Sequence, residues 1–221
     1  MTTAVIGVGS IGGAVARHLV RGGEPVVLAA KKLSSAEALL GDLGALARAA
    51  TVDRAIASAD VVILAVWLDT IQELITEHAT LLPGKVVLDP SNPIGFDDQG
   101  NVLRTLPEKQ SAARVVTDAL PQGAHYAKAF GTMSAGSLVA AAFRTPRRAV
   151  LFYATDDRDA AAAAERLIST AGFDALMVGG VDDAGRIEVP GGDLHETGGL
   201  GGRLLDRAEA QAAVTPSLVL P

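Results

Sequence analysis

Residues Ala4-Val5-Ile6-Gly7-Val8-Gly9-Ser10-Ile11-Gly12-Gly13 pass from an apolar run into a glycine-rich turn and then into Ala14-Val15-Ala16-Arg17-His18-Leu19. The order reads as strand, tight turn, helix. Gly7, Gly9 and Gly12 have the spacing of a dinucleotide fingerprint. The first glycine permits the turn, the second lets a pyrophosphate approach the backbone, and the third lets helix and strand pack closely. Free N–H groups at the start of the helix then face an anion. The spacing alone is a weak signal, because the chain has 24 glycines. Its position strengthens it: Ile11, Val15 and Leu19 form one inward helix face, and a second apolar strand follows at 25–30.

A dinucleotide enzyme chooses its cofactor at the end of that second strand. NAD-binding folds usually carry an Asp or Glu there, about 20 residues past the glycines, to accept hydrogen bonds from the ribose 2′-OH. This chain has Ala29-Ala30-Lys31-Lys32 instead. A carboxylate would repel a 2′-phosphate, whereas two ammonium groups would attract one, so the position argues for NADP(H). Ser34 and Ser35 could add hydroxyl donors or cap the following helix.

Composition excludes several other classes. A chain of 221 residues that is 49% hydrophobic can bury a sizeable core as one domain with a small appendage. Its formal charge of −6 offers no basic surplus for nucleic acid or an anionic membrane. With no cysteine, disulfides, thiolate metal sites and cysteine nucleophiles are ruled out. The first strand begins after Met1-Thr2-Thr3, which leaves no signal peptide, and the longest apolar run, 61–68, is far short of the roughly 20 residues a bilayer span needs. A cytoplasmic protein is expected.

Strand and helix continue to alternate. Helices are expected at 34–43 and 51–58 around a short strand at 45–50, and the β-branched run 61–66 suits a parallel strand buried on both faces. Asp69 should cap the next helix, whose inward stripe Ile71, Leu74, Ile75, His78 and Leu82 stops at Pro83-Gly84. His78 reads as a packed histidine rather than a ligand. Strand 86–88 leads into Ser91-Asn92-Pro93. Ligands of open α/β sheets bind outside the carboxyl ends of the strands, so these residues and Val66-Trp67-Leu68 should rim one cleft. Trp67, the only tryptophan, could cover the cofactor or pack on a neighbouring helix. Residues 94–101, with two glycines and two aspartates, read as a loop.

Along a strand at 125–130, Tyr126, Lys128 and Phe130 share one face, and Phe130 and Thr132 should fall near the cleft of Asn92. Tyr126 and Lys128 are two apart, not four, so they do not form the Tyr/Lys pair of short-chain dehydrogenases. Helices at 111–120, 134–143 and 157–171 and strands at 149–154 and 173–178 complete the pattern, with Gly172 as a helix C-cap. Asp156, Asp157 and Asp159 favour a helix N-terminus and need no further role.

The ordered set of the Gly7–Gly12 turn, Lys31-Lys32, Ala65-Val66, Ser91-Asn92-Pro93 and Lys128-Ala129-Phe130-Gly131-Thr132 resembles the F420-dependent NADP oxidoreductase family over nearly the whole chain. The resemblance implies a Rossmann-like, doubly wound parallel α/β sheet with a small C-terminal extension. It also implies NADPH held by the glycine loop and basic pair, and hydride exchange with the deazaflavin F420. Members of the wider group use other acceptors, including flavins and ferric iron. Gly131 stands where many members have asparagine, and Trp67 where many have proline. The cofactor-binding candidates are then Gly7, Val8, Gly9, Ser10, Ile11, Gly12, Lys31, Lys32, Val66, Trp67, Ser91, Asn92, Pro93, Ala129 and Phe130. The acceptor-side candidates are Phe130, Gly131 and Thr132.

Hydride transfer between two stacked rings needs no protein acid at the reacting carbon, and Tyr126, His125 and His195 have no orienting partner visible in the sequence, so no catalytic residue is assigned. The rival readings are a reductase of a flavin, ferric or other small acceptor, and an NADP-binding regulator without turnover. A methyltransferase has a similar glycine loop but usually needs an acid where Lys31 stands. Residues 1–178 form the expected NADP-binding domain, and 179–221 a glycine-rich loop with a closing helix from 203 to 214. Asp193, His195 and Glu196 match no standard metal spacing, and no metal is expected. Because the chain lacks a long helical substrate domain, a homodimer could complete the pocket.

Overall fold

The computed structural model describes residues 1–215. Its strands are β1 (Thr3–Ile6), β2 (Val26–Ala29), β3 (Ala47–Ala49), β4 (Val61–Leu64), β5 (Val86–Asp89), β6 (Ile94–Phe96), β7 (Val102–Arg104), β8 (His125–Lys128), β9 (Val150–Tyr153) and β10 (Asp174–Met177). Its helices are α1 (Ser10–Arg21), α2 (Leu33–Leu43), α3 (Val52–Ser58), α4 (Leu68–Glu77), α5 (Ala112–Ala119), α6 (Ala135–Ala141), α7 (Arg158–Thr170) and α8 (Arg207–Val214).

One sheet runs in the order β3-β2-β1-β4-β5-β8, with every neighbouring pair parallel. Building outward from β1 in both directions puts crossover helices on both faces and leaves a direction change between β1 and β4. This is a Rossmann-like doubly wound sheet. Strands β1, β2, β4 and β5 are buried at every residue, as their continuous apolar sequences require. Alternation along each strand sorts the side chains into two cores. Val5, Leu28, Ile63 and Leu88 pack with α1, α2, α6 and α7. Ile6, Ala29, Leu64 and Val87 pack with α3, α4 and α5. Each fully buried Leu or Ile contributes about 1.5–3 kcal/mol.

The last two strands do not join the parallel order. β9 and β10 pair with each other, and β9 meets β8 through one antiparallel bridge, Lys128 N–H to Ala154 O at 2.9 Å and Ala154 N–H to Lys128 O at 3.0 Å. The segment after β10 supplies Val181, Ile187, Leu194, Leu205 and Ala210 to the core that β1 and β4 share. Residues 216–221, the end of the expected tail, lie outside the described residues. Among the described residues no helix is long and apolar enough to cross a membrane.

Three local expectations are corrected. Residues 94–104 form an antiparallel hairpin, β6 with β7, rather than a loop over 94–101: Asp97 accepts backbone N–H groups of Gln99 and Asn101 and closes the turn that its glycines had suggested was irregular. The N-cap of α4 is Trp67, with Asp69 inside the first turn. The closing helix begins at Arg207, where Asp206 and Glu209 make a capping box, and not at 203.

Candidate functional site

The glycine turn between β1 and α1 has the three constraints its spacing implies. Gly7 has φ +94°, and a Cβ there would lie 2.3 Å from the Ala65 carbonyl oxygen. A Cβ on Gly12 would lie 1.9 Å from the Gly7 carbonyl oxygen, so α1 can pack on the turn only without a side chain. Around Gly9 nothing lies within 4 Å of a Cβ position, which leaves open backbone for a ligand. Gly9 is the N-cap of α1, no side chain caps that helix, and its first turn holds no acid. The N–H groups and the positive dipole end are therefore free for an anion.

A crevice of about 510 Å³ opens from this turn across the carboxyl ends of the parallel strands. Of the predicted residues, Gly9, Ser10, Ile11, Val66, Trp67, Ser91, Asn92 and Gly131 line it. Gly7, Val8 and Gly12 do not line it; the two glycines shape the turn from behind. Lys31 and Lys32 are exposed at the end of β2, with Lys32 the N-cap of α2 and no acid in that helix's first turn. Ser34 and Ser35 therefore lie inside the turn and do not cap it. Trp67 is 56% exposed and meets Phe96 edge to face at 5.9 Å between ring centres, so its contact is with the hairpin and not with a helix.

The stretch after β8 needs correction. Ala129 and Phe130 are wholly buried in the core beneath the crevice, Thr132 is 3% exposed, and Pro93 is buried beside the lining. Phe130 has φ +65°, a costly conformation for a residue with a side chain. It turns the ring inward and brings Gly131 against the β5 loop, where a Cβ would sit 2.5 Å from the Pro90 carbonyl oxygen. An asparagine could not stand at 131 in this backbone.

The far wall comes from the C-terminal segment, which supplies Val189, His195 and Thr197. This wall is therefore supplied by the same chain as the glycine turn. Its contacts lie 60 to 100 residues apart in sequence, beyond the reach of any local pattern. Val189 N–H donates to Asn92 Oδ1 at 2.8 Å, and Asn92 Nδ2 donates to the Gly131 carbonyl at 3.0 Å. Behind them Lys128 Nζ lies 3.0 Å from Asp89 Oδ2 and 3.5 Å from Glu188 Oε1, and it also donates to the Ser91 carbonyl. All three charged side chains are 1% exposed or less. Glu188 also accepts the Ala112 and Ala113 N–H groups at the start of α5, both at 2.9 Å.

The groups that looked free in sequence have partners. Tyr126 O–H donates to Asp89 Oδ2 at 2.8 Å inside the core, and burial, reinforced by the Asp89 charge, holds its pKa well above the ordinary value. His125 pairs with Asp157 at 2.7 Å at the start of β8, the opposite end of the strand from the crevice. Asp157 and Asp159 could join His125 around an ion, but Asp157 already caps α7. His195 reaches the Gly131 carbonyl through Nε2 at 3.1 Å, and its Nδ1 accepts the Thr197 N–H at 3.2 Å. These partners fix the neutral tautomer with the proton on Nε2. Burial lowers its pKa further, against the opposing pull of the Gly131 carbonyl. Asp193 instead pairs with Arg186 at 2.8 Å, and Glu196 accepts the Ser134 N–H at 2.6 Å, so Asp193, His195 and Glu196 do not converge.

A doubly wound sheet with an uncapped glycine turn at its direction change places the chain in the Rossmann class of folds. Residues 2–93 match the family described as NADP oxidoreductase, coenzyme F420-dependent, which the chain resembles over that stretch. Among solved structures it is similar to a hypothetical protein, SMa0349, from Sinorhizobium meliloti, with 30% identity, 94% of this chain and 96% of that one covered, and a TM-score of 0.81. A protein from Arthrobacter sp. fb24, provisionally described as an F420-dependent NADP-reductase, shares 21% identity over 82% of this chain and 86% of its own, with a TM-score of 0.72. A reductive aminase from Aspergillus terreus, solved with NADPH and ethyl levulinate, shares the fold at 21% identity and a TM-score of 0.59; 82% of this chain aligns to 55% of that one. No curated protein matches the chain.

Proposed function

We propose that this chain binds NADP(H) along the crevice and serves hydride exchange between NADPH and a flat redox ring. The deazaflavin of coenzyme F420, the coenzyme of the family that residues 2–93 match, is the first acceptor to test. The open backbone at Gly9 and the uncapped start of α1 fit a diphosphate, with Ser10 and Ile11 at the first N–H groups. Lys31, Lys32 and the acid-free start of α2 fit the 2′-phosphate. Val66, Trp67, Ser91 and Asn92 would flank the nicotinamide end, and Gly131 the acceptor. On this reading residues 1–178 carry the cofactor, and the part from 179 onward closes the acceptor side.

The carrying observation is that none of the residues lining the crevice is an Asp, Glu, Lys or Arg, and its one histidine has both ring nitrogens committed. Reduction of a ketone or imine calls for a positioned proton donor. Hydride exchange between stacked rings calls for alignment at about 3–3.5 Å and exclusion of water, which an uncharged wall supplies. Bound NADPH supplies the hydride itself.

A stopped-flow screen of NADPH oxidation against F420, flavins, quinones and ferric chelates tests the reading, together with the pair Lys31→Ala and Lys32→Ala. Flat rings should turn over, and the double variant should lose NADPH affinity by at least about tenfold more than NADH affinity. Tight NADPH binding with no turnover on any acceptor would make the protein a regulator. Equal loss for both cofactors would remove the lysines from the phosphate site.

A further inference from the structure

At the end of the sheet remote from the crevice, β8 begins beside the segment that leads into α7. Lys128 and Ala154 form the antiparallel bridge between the parallel sheet and β9, and three residues further along each segment His125 faces Asp157. Thr155 fixes the approach: its hydroxyl donates to the Tyr126 carbonyl at 2.5 Å and accepts the Asp157 N–H at 3.0 Å. His125 and Asp157 are therefore held face to face by the backbone as well as by their own hydrogen bond. Asp159 stands beside them, and one donor atom from each of the three side chains lies within 4.8 Å of the other two. Among the described residues this is the one trio of His, Cys, Asp or Glu side chains that converges so closely. A first-row metal with bonds of about 2.0–2.2 Å holds its ligand atoms about 3–4.4 Å apart, so shifts of about half an ångström complete the set.

Capping α7 does not use these groups up. The cap is Asp157 Oδ1, which accepts the Asp159 and Ala160 N–H groups at 2.8 and 2.9 Å, whereas Oδ2 meets His125 Nδ1 at 2.7 Å. Among the described residues no Lys or Arg pairs with Asp157 or Asp159, in contrast to Asp182, Asp193 and Asp206, which face Arg114, Arg186 and Arg147. A neutral imidazole with two carboxylates carries two uncompensated negative charges, and one divalent ion balances them.

We propose that His125, Asp157 and Asp159 bind one divalent transition ion of the Zn²⁺ type, as a staple between the parallel sheet and the β9–β10 layer. His125 Nδ1 and one oxygen from each aspartate are the protein ligands, and water completes the shell. The ion takes the place of the proton between Nδ1 and Asp157 Oδ2, which passes to Nε2. One imidazole with two carboxylates suits Zn²⁺ or Co²⁺, whereas Ca²⁺ and Mg²⁺ favour shells made of oxygen alone. The site lies at the opposite end of β8 from the crevice and does not depend on the hydride-exchange reading.

The other donors of the chain do not mimic the signal. It has no cysteine, and His18, His78 and His195 are only 8%, 9% and 3% exposed. Tag-free protein without nucleotide is titrated with Co²⁺, following its visible d–d absorption, and with Zn²⁺ by calorimetry. One ion should bind per chain with a Kd on the order of 10 μM, and saturating Zn²⁺ should raise the unfolding midpoint. His125→Asn should weaken binding at least about tenfold. Asp159→Asn, at an exposed position, should weaken it about threefold or more and leave metal-free melting unchanged. Ca²⁺ and Mg²⁺ at the same concentrations should not bind. Absence of saturable binding below about 1 mM would overturn the proposal, as would unchanged affinity in either variant. NADP⁺ titration of the same samples reports on the crevice alone, so the two readings stand or fall separately.

Discussion

Gly9 and Gly12 are three residues apart in one turn, yet they answer to different demands. A methyl group at Gly12 would collide with the Gly7 carbonyl at 1.9 Å, a backbone atom that cannot rotate away, whereas one at Gly9 would meet nothing. Gly12→Ala should therefore lower the unfolding midpoint and abolish NADP binding together. Gly9→Ala should leave thermal unfolding within a degree or two of wild type and still weaken NADP⁺ by about tenfold or more, because its methyl occupies space kept for the diphosphate. Calorimetric melting alongside NADP⁺ titration separates the two, and parallel behaviour of both variants would contradict these roles. These residues were legible in the sequence because their spacing falls between an apolar strand and a helix with one apolar face. Phe130 was not: its left-handed backbone goes with the close approach of Gly131 to Pro90, which no local pattern announces.

At the scale of elements, β1, β2, β4 and β5 and the helices between them could be read directly, since period and burial agree along each. The hairpin of β6 and β7 was missed because its aspartate and glycines, read as irregular, build a tight turn. The far wall was missed for a different reason. Lys128 looked like one residue of a strand, and Glu188 like one residue of a polar loop; only the fold brings them together, 3.5 Å apart with Asp89 alongside. Lys128→Met should leave two buried carboxylates without their cation and cost about 3–5 kcal/mol in urea unfolding. Glu188→Gln keeps the shape and should cost less. Hydrogen exchange at 188–199 should rise in both, and unchanged protection there would show that the triad does not hold the wall.

For the whole molecule, acid sensitivity follows from two enclosed imidazoles. His18 is 8% exposed, with Nε2 on the Leu138 carbonyl at 3.0 Å and the rings of Phe143 and Phe173 edge-on. Burial lowers its pKa, as it does that of His195. In the unfolded chain both would titrate near about 6.5. Above that pH both states are neutral and these groups add no slope. Below it the unfolded chain binds more protons, so stability falls with pH until the folded-state values are passed. The unfolding midpoint of wild type should drop between about pH 7 and pH 5.5 more steeply than that of a His18→Gln, His195→Gln double variant. Matching slopes would refute the assignment.

The wall at Val189, His195 and Thr197 is also the last part of the site to leave the ribosome. The glycine turn is formed by neighbouring residues as soon as they are made, but Lys128 waits a further 60 residues for Glu188, and only then does the pocket gain its second side. Prematurely terminated protein therefore has no half-working form: it carries a buried ammonium short of one counter-ion and a gap in the shared core, and should be cleared as misfolded chain before it can consume reducing equivalents.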